Sequence, residues 1–571
     1  MKKHGTVWLG FLAAVFLLPP AVVQAQENVL GETAKLAAAV PRGLILEVGC
    51  EGQGELALAL ARVIPSYRVY AVSWDDARVQ AARRKIDEAG LYGTLFARGV
   101  EAEGLPFPDE CMNIVVGSTD EFKDEVRLKE ALRVLRPDGT LVFLGASDLL
   151  KKVTVPQQTL FKLVEGTGLT KVQKLRPEAA GDWSQFHFDA SCNRVSNDRL
   201  LAPPLKVQWT LSGWKRFREY INFLKFPDAV ANQHVLVFFD GGVPSGLVAD
   251  REVTCVDAYN GLVLWKRNYQ SVRFPILADR TLYLVANGKI KVLDAMTGEE
   301  RQTCEVKGSP WHLIYDGKLL SGMLGKNGKV SIVFAVDAAT GKTLWTREVE
   351  GDTTYNRDYL YSDRGGTGFC AGDGRIFGMN THRGKGKGTC WALNAADGKE
   401  LWTHDCGAGD GFTIIFAGGK IFVYSSVALM ALDAADGHEV WKVPTPKNMT
   451  GASLMPVISN GVYYLCNSHF DVLALDAATG RELYQSSIAI GWGCCLSTMA
   501  NGIIYRRDCG LTLFSTPDKT YREYAGLCPA CGGMALANGM LYVFRPGVHA
   551  FAGGGTPPAV RSPAFKLQKK E

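Results

Sequence analysis

Four short apolar runs in the first part of the chain, 44–48, 69–72, 114–116 and 141–144, show no alternation of apolar and polar residues. A strand with one wet face alternates, whereas a strand covered on both faces is apolar throughout, so these runs predict parallel strands inside a layered sheet. Between them, 56–63, 78–89 and 122–135 repeat apolar residues at helical spacing. This order of strands and helices over about 42–174 predicts an α/β Rossmann-like, doubly wound sheet, with its ligand beyond the carboxyl ends of the strands.

Further along, the pattern changes period. The unit apolar-x-Asp-Ala-x-x-Gly-x-x-x-Trp recurs, with Asp257, Asp294, Asp337, Asn394, Asp433 and Asp476 in the acidic position and Gly261, Gly298, Gly341, Gly398, Gly437 and Gly480 four residues later. In five copies an aromatic residue, Trp265, Trp345, Trp402, Trp441 or Tyr484, follows that glycine by four. The acid or amide bonds the turn backbone, the glycine supplies the positive φ of a bulged hairpin, and the aromatic side chain is expected to pack between neighbouring sheets. Spacings of 37, 43, 57, 39 and 43 residues suit four-stranded propeller blades. The longest spacing holds an insertion, assigned to 355–368 and the basic run 381–387. Two degenerate units at 511–524 and 534–551 bring the total to eight. Strand 205–211, carrying Trp209, is expected to complete the last blade after 548–551 and so remove the free edges of the ring. The expectation is an all-β eight-bladed propeller over 205–556.

The ends and the composition refine this division. Lys2, Lys3 and His4 precede an apolar run at 7–18, then Pro19-Pro20 and Val23-Gln24-Ala25, the pattern of a signal peptide over 1–25 cut before Gln26. An exported, periplasmic protein is therefore expected, with no membrane span after cleavage and a Rossmann domain over 26–178. Residues 179–204, which contain Trp183, His187, Asp189 and Asn193, read as a linker, and 557–571 as a disordered tail. The 63 basic and 58 acidic side chains give a net charge of +5, too small and too dispersed to imply a nucleic-acid partner. Among 14 cysteines, Cys494, Cys495, Cys509, Cys528 and Cys531 cluster late; the leading reading is one or two disulfides stapling the last blades, and the alternative is a metal or redox site, against which no His lies in ligand spacing beside them. The nine histidines show no metal-ligand spacing, and no metal site is expected.

The first predicted strand runs into Glu47-Val48-Gly49-Cys50-Glu51-Gly52-Gln53-Gly54 and a helix. Later come Leu105-Pro106-Phe107-Pro108-Asp109, the helix and turn ending Val134-Leu135-Arg136-Pro137-Asp138-Gly139, and the strand after it. In this order the segments resemble the class I S-adenosylmethionine-dependent methyltransferases over some 130 residues. The resemblance implies that Glu47, Gly49, Gly52 and Gly54 line the methionine end of S-adenosylmethionine and that Glu101 approaches its adenine amine. Three departures stand out. Ser73 occupies the place of the ribose-binding carboxylate, leaving Asp75 or Asp76 as substitutes; Glu51 lengthens the glycine loop and adds a negative charge; and Met112-Asn113 replaces the usual Phe-Asp. Because the charged cofactor is made in the cytosol and does not cross lipid unaided, an exported chain would be separated from its methyl donor. No catalytic residue is assigned.

The later repeats resemble the pyrroloquinoline-quinone-type propeller family over about 350 residues, a likeness specific for fold and not for activity. Dehydrogenases of that family stack the quinone on a tryptophan beneath a disulfide of adjacent cysteines and hold calcium with carboxylate and amide oxygens. Trp492-Gly493-Cys494-Cys495 offers a tryptophan and a pair, but late in the chain, and no calcium set is assignable. Three functions stay open. The leading one is a propeller platform, for an unidentified protein or small-molecule ligand, carrying a methyltransferase-fold appendage. The others are an active methyltransferase and a quinone-dependent dehydrogenase.

Overall fold

The computed structural model describes residues 20–571 apart from 102–103, 123, 145–160, 167–168, 186, 212–228, 240–249, 271, 287–288, 306–310, 325–329, 351–368, 383–386, 408–410, 426, 450–454, 468–469, 488–496, 508–510, 525–533, 545–546, 555–559, 562–565 and 568–571. The chain divides into two units, Met1–Glu178 and Ala179–Glu571.

In the first unit β1 (Gly43–Val48), β2 (Tyr67–Ser73), β3 (Leu95–Gly99), β4 (Met112–Ser118), β5 (Leu135–Leu144), β6 (Phe161–Gly166) and β7 (Leu169–Lys174) form one sheet in the order β3-β2-β1-β4-β5-β7-β6. Strands β1 to β5 run parallel, and β7 lies antiparallel between β5 and β6. Strand order reverses between β1 and β4, which makes the carboxyl end of β1 the switch point at which doubly wound sheets bind ligands. Helices α1 (Pro20–Ala37), α2 (Glu51–Val63) and α3 (Asp76–Glu88) share an apolar cluster with one side of the sheet, through Val29, Leu60 and Val79 against Ile45, Val69 and Val116. Leu128 and Leu132 pack with Leu46, Val115 and Phe143 in a second cluster.

All four strands expected from apolar runs are present, and the sheet is the Rossmann-like one predicted. The helix expected over 122–135 is two: α4 (Thr119–Phe122) and α5 (Glu125–Val134). Asp124 caps the second by accepting from the amides of Val126 and Arg127 at 2.8 and 3.4 Å. Leu135, expected as the end of the helix, and 136–139, expected as the turn after it, form the start of β5. Strand β7 was missed because its buried face carries Thr170, Val172 and Lys174, whose ammonium donates to the Leu132 and Leu135 carbonyls at 3.2 and 2.9 Å. Residues 1–19 of the expected signal peptide lie outside the described residues, and α1 runs through the expected cleavage point. Among the described residues no helix is long and apolar enough to cross a membrane.

The second unit is an eight-bladed propeller. Its blades begin with innermost strands Ala229–Ala231, Arg273–Ala278, Trp311–Tyr315, Phe369–Gly372, Gly411–Ala417, Val457–Ser459, Thr498–Ala500 and Met534–Ala537. Each blade has four antiparallel strands from its own consecutive sequence, except the last. There Leu205–Leu211 supplies the outermost strand, with Trp209 opposite Ala550, as the closure argument required. Thr381, His382 and Lys387 of the basic run lie in the paired strands Arg375–His382 and Lys387–Asn394, while 383–386 and 355–368 lie outside the described residues. The tail expected to be disordered contributes two short strands, Val560–Arg561 and Lys566–Leu567, to the outer edges of blades seven and six.

The repeat explains how blades adhere. In each copy the acidic or amide oxygen accepts from the backbone amide two residues on, for example Asp433 from Ala435 at 2.8 Å. The glycine has a positive φ, 77° at Gly437, where an L side chain is strained. The tryptophan indole then crosses to the next blade: Trp209, Trp265, Trp345, Trp402 and Trp441 donate to the carbonyls of Ala258, Ala295, Ala395, Ala434 and Ala477 at 2.9 to 3.2 Å. The ring rests on the glycine of that next turn, so a Cβ at Gly437 would stand 2.5 Å from Trp402. Glycine is therefore required twice over, by backbone angle and by the seated indole. The second blade lacks the aromatic residue, and Gln302 reaches instead to the Thr340 carbonyl at 2.9 Å.

Residues 181–201, apart from 186, fall within the segment 179–204 expected as a linker, and that reading is corrected. They form a strap that meets the innermost strand of every blade in turn. Trp183 pairs with Ala231, and the Ser184 carbonyl accepts from Leu277 at 2.8 Å. Gln185 exchanges two bonds with Ile314. The carbonyls of Ala190 and Ser191 accept from Ala371 and Phe416 at 2.7 and 3.0 Å. Asn193 exchanges two bonds with Ile458, Arg194 and Ser196 bracket Met499, and the Ser196 hydroxyl donates to the Leu536 carbonyl at 2.8 Å. Asp198 joins the strap's ends, accepting from Gly181 at 2.9 Å and from Gly539 of the last blade at 2.7 Å. The strap supplies backbone and short polar partners to strands that no further strand covers.

Candidate functional site

The expected site residues of the first unit converge at the carboxyl ends of β1, β2 and β3. Glu47 stands opposite Ala71, and Ser73 opposite Gly99. Gly49 follows at φ 114°, its amide bonded to the Val72 carbonyl at 2.7 Å. Cys50, Gly52, Gln53 and Gly54 are all left-handed, at φ 48°, 60°, 61° and 91°. The Gly54 amide turns back to the Cys50 carbonyl at 3.1 Å, which makes the amides of Gly52 and Gln53 the loop's candidate donors to a carboxylate or other anionic group. Gly54 has a further constraint: a Cβ there would stand 2.7 Å from the Ala82 Cβ and 2.9 Å from its Cα, so α2 and α3 meet backbone to backbone.

Glu47 is the unusual group. Its side chain is fully buried; one oxygen accepts from the Glu51 amide at 2.9 Å, and Oε2 is a buried atom with no hydrogen-bond partner among the described residues. Burial is the main reason its carboxyl is pushed up to about 8, with the nearby Glu51 and Glu121 charges adding to the rise and the Glu51 amide and Arg78 opposing it. A cationic ammonium or a hydrogen-bond donor would complete this carboxylate.

Charged side chains also ring the loop. Arg78 Nη1 donates to the Gly49 carbonyl at 3.2 Å and to Glu121 at 3.1 Å, and Arg127 holds the other Glu121 oxygen at 2.6 Å. The Arg127 guanidinium lies 4.3 Å from the centre of the Trp74 ring. Ser118 donates to Glu51 at 2.7 Å. Beside Gly49 the space is taken by Glu121 and Glu51, whose nearest atoms would stand 2.8 and 2.9 Å from a Cβ built there. The motifs alone did not single out Arg78, Ser118, Glu121 or Arg127. They sit on strand ends and helix faces that only the folded sheet brings together.

The departures from the family pattern have local structural uses. Ser73 is buried, and its Oγ accepts from the Asp75 amide at 3.1 Å. Asp75 caps α3, accepting from the amides of Ala77 and Arg78 at 2.9 and 3.3 Å. Asn113 accepts from the Leu44 amide at 2.8 Å and so fixes the start of β1. Glu101 is exposed just beyond β3. Arg133 clasps the Leu105-to-Asp109 segment, donating to the Leu105 and Phe107 carbonyls and to Asp109 at 3.0, 2.9 and 2.7 Å. That motif thus has a scaffolding role. In the propeller, Trp492, Cys494, Cys495, Cys509, Cys528 and Cys531 all lie outside the described residues.

Comparison with known proteins divides the chain in the same way. Residues 45–139 match the methyltransferase domain family, and 329–491 match the family described as outer membrane protein assembly factor BamB. The ubiquinone/menaquinone biosynthesis C-methyltransferase UbiE of Pseudomonas putida is 29% identical over 106 residues, 18% of this chain and 41% of that protein. Its counterpart in Geobacter sulfurreducens is 30% identical over 148 residues, 25% of this chain and 54% of that one. The chain thus spans about half the length, or less, of these relatives. A solved structure of BamB from Moraxella catarrhalis is similar over 61% of this chain and 98% of that chain, at 15% identity and a TM-score of 0.41. The chain joins a class I methyltransferase-like domain, with S-adenosylmethionine as its implied cofactor, to an eight-bladed quinoprotein-like propeller.

Proposed function

We propose that the protein is an extracytoplasmic scaffold whose propeller is the binding platform and whose first unit holds a ligand of the S-adenosylmethionine class. The observation that carries the ligand site is Glu47, a fully buried carboxyl with one unpartnered oxygen beside a left-handed glycine loop. Glu47 would hold the cofactor's ammonium, and the amides of Gly52 and Gln53 its carboxylate. When bound, the cofactor supplies an electrophilic methyl group. Ser73 in place of a ribose-binding carboxylate, and Glu121 lying beside Gly49, argue for a binding role ahead of rapid methyl transfer. The assembly-factor likeness of 329–491 and the signal-peptide pattern of 1–25 support the compartment.

Isothermal calorimetry of the full chain against S-adenosylmethionine tests the ligand reading. Binding is expected, together with proton release from Glu47, seen as a heat that depends on the buffer's ionisation enthalpy. Glu47→Ala is expected to weaken affinity at least about tenfold, since a charge-assisted bond contributes about 1.5 to 3 kcal/mol. Absence of any binding heat at millimolar ligand would overturn it. Active methyl transfer is a second reading, favoured by the same Glu47 and glycine loop, and predicts turnover of labelled methyl groups to an added acceptor. Fractionation of cells expressing the tagged chain tests export: a processed periplasmic species supports it, and an unprocessed cytosolic one opposes it.

A further inference from the structure

Blade four carries a pair of thiols that neither family likeness explains. Cys390 lies in its third strand, Lys387–Asn394, and Cys406 in its outermost strand, Glu400–Gly407. The ladder between these strands shifts register between Gly388 and Thr389, where Gly388 pairs with Gly407 and Thr389 with Asp405, so Cys406 is the extra residue of a β-bulge. The bulge brings Cys406 Sγ to 2.8 Å from Cys390 Sγ. A disulfide measures about 2.05 Å, so closure needs an approach of about 0.75 Å between side chains already on neighbouring strands. Both residues are buried in one apolar cluster, with Cys370 of the blade's innermost strand and Cys192 of the strap.

We propose that Cys390 and Cys406 form a disulfide that staples the outer half of blade four. Closure joins the two sulfurs, releases both thiol hydrogens, and passes two electrons to a disulfide oxidant, which leaves as two thiols. With oxidised glutathione, each bond formed yields two molecules of reduced glutathione. An oxidising compartment keeps such a bond closed, and a reducing one holds the pair as thiols. The staple lies beside Trp402, the indole seated on blade five, so it stiffens one blade junction as well as one sheet.

The test uses the full chain, purified under reduction and then incubated with oxidised glutathione. Remaining thiols are alkylated, and the protein is cut with trypsin without reduction. Cleavage after Lys387, Lys399 and Lys420 places Cys390 and Cys406 in separate peptides, 388–399 and 400–420, each with one cysteine. The expected result is a linked pair of these peptides, lighter by two hydrogens than the sum of the reduced forms, and separated by a dithiol. A rise in thermal midpoint on oxidation that Cys406→Ala abolishes is the second expected reading. Recovery of both peptides alkylated, capped by glutathione, or linked instead to Cys192 or Cys370 would overturn the assignment. The mapping needs no variant, so a poorly folding substitution does not blunt it.

Discussion

Gly54 and Gly437 are both glycines at positive φ, 91° and 77°, and at both an added Cβ would strike a neighbour within 2.7 Å. At Gly437 the neighbour is the Trp402 indole, and the same seat recurs where Trp209, Trp265, Trp345 and Trp441 rest on Gly261, Gly298, Gly398 and Gly480. At Gly54 the neighbour is Ala82, including its backbone, and this meeting of α2 and α3 occurs once in its unit. A repeated contact spreads risk around a ring, whereas a contact made once concentrates it. The difference locates fragility at the candidate ligand site of the first unit and tolerance in the propeller.

The sharpest way to break this comparison is Gly54→Val, expected to cost about 3 to 5 kcal/mol from a strained φ combined with overpacking. Calorimetry should show the transition of the first unit shifted or lost while that of the propeller stays in place. Next is Trp402→Ala, expected to cost about 3 kcal/mol by leaving a cavity at one of the eight junctions, with the propeller still folded. Gly437→Ala combined with it should cost less than the sum of the two, by about 0.5 to 3 kcal/mol, because the clash disappears with the ring. Strict additivity in urea titrations would sink the seat. Asn193→Ala removes both strap bonds to Ile458 and should cost about 1 to 2 kcal/mol. An unchanged midpoint there would return 179–204 to the status of a linker.

The smallest change at mildly acid pH is expected from Glu47→Gln. The Glu47 carboxyl, pushed up to about 8 in the fold, favours the protonated form. Its contribution is fully present below the ordinary glutamate value of about 4.3 and is lost as pH rises through the folded value. The midpoint of the first unit should therefore fall between pH 5 and 8 in the native chain and fall less in Glu47→Gln. Parallel pH profiles would remove Glu47 from the account.

Much of this architecture was legible in the chain. The four apolar strands, the blade turns and the closing strand with Trp209 follow from periodicities that survive any packing detail. What stayed hidden has a common physical character. Strand β7 buries Lys174, and the strap works through Ser184, Gln185, Asn193 and Ser196, so its polar residues look like those of a solvated connection. At the site, Glu47 and the glycines were found from their motif, but the ion pairs of Glu121 with Arg78 and Arg127 link residues 43 and 6 positions apart along the chain.

The sequence alone settled the four apolar strands of the first sheet, where the blade turns fall and how many blades close the ring, because each rests on a local period or on a glycine's backbone freedom. Tertiary structure alone decided what the strap does, which charges surround Glu47 and which thiols meet in blade four. Those outcomes depend on distances between segments far apart in the chain, and hydrogen bonding and burial assign a polar residue its role only once its neighbours are in place.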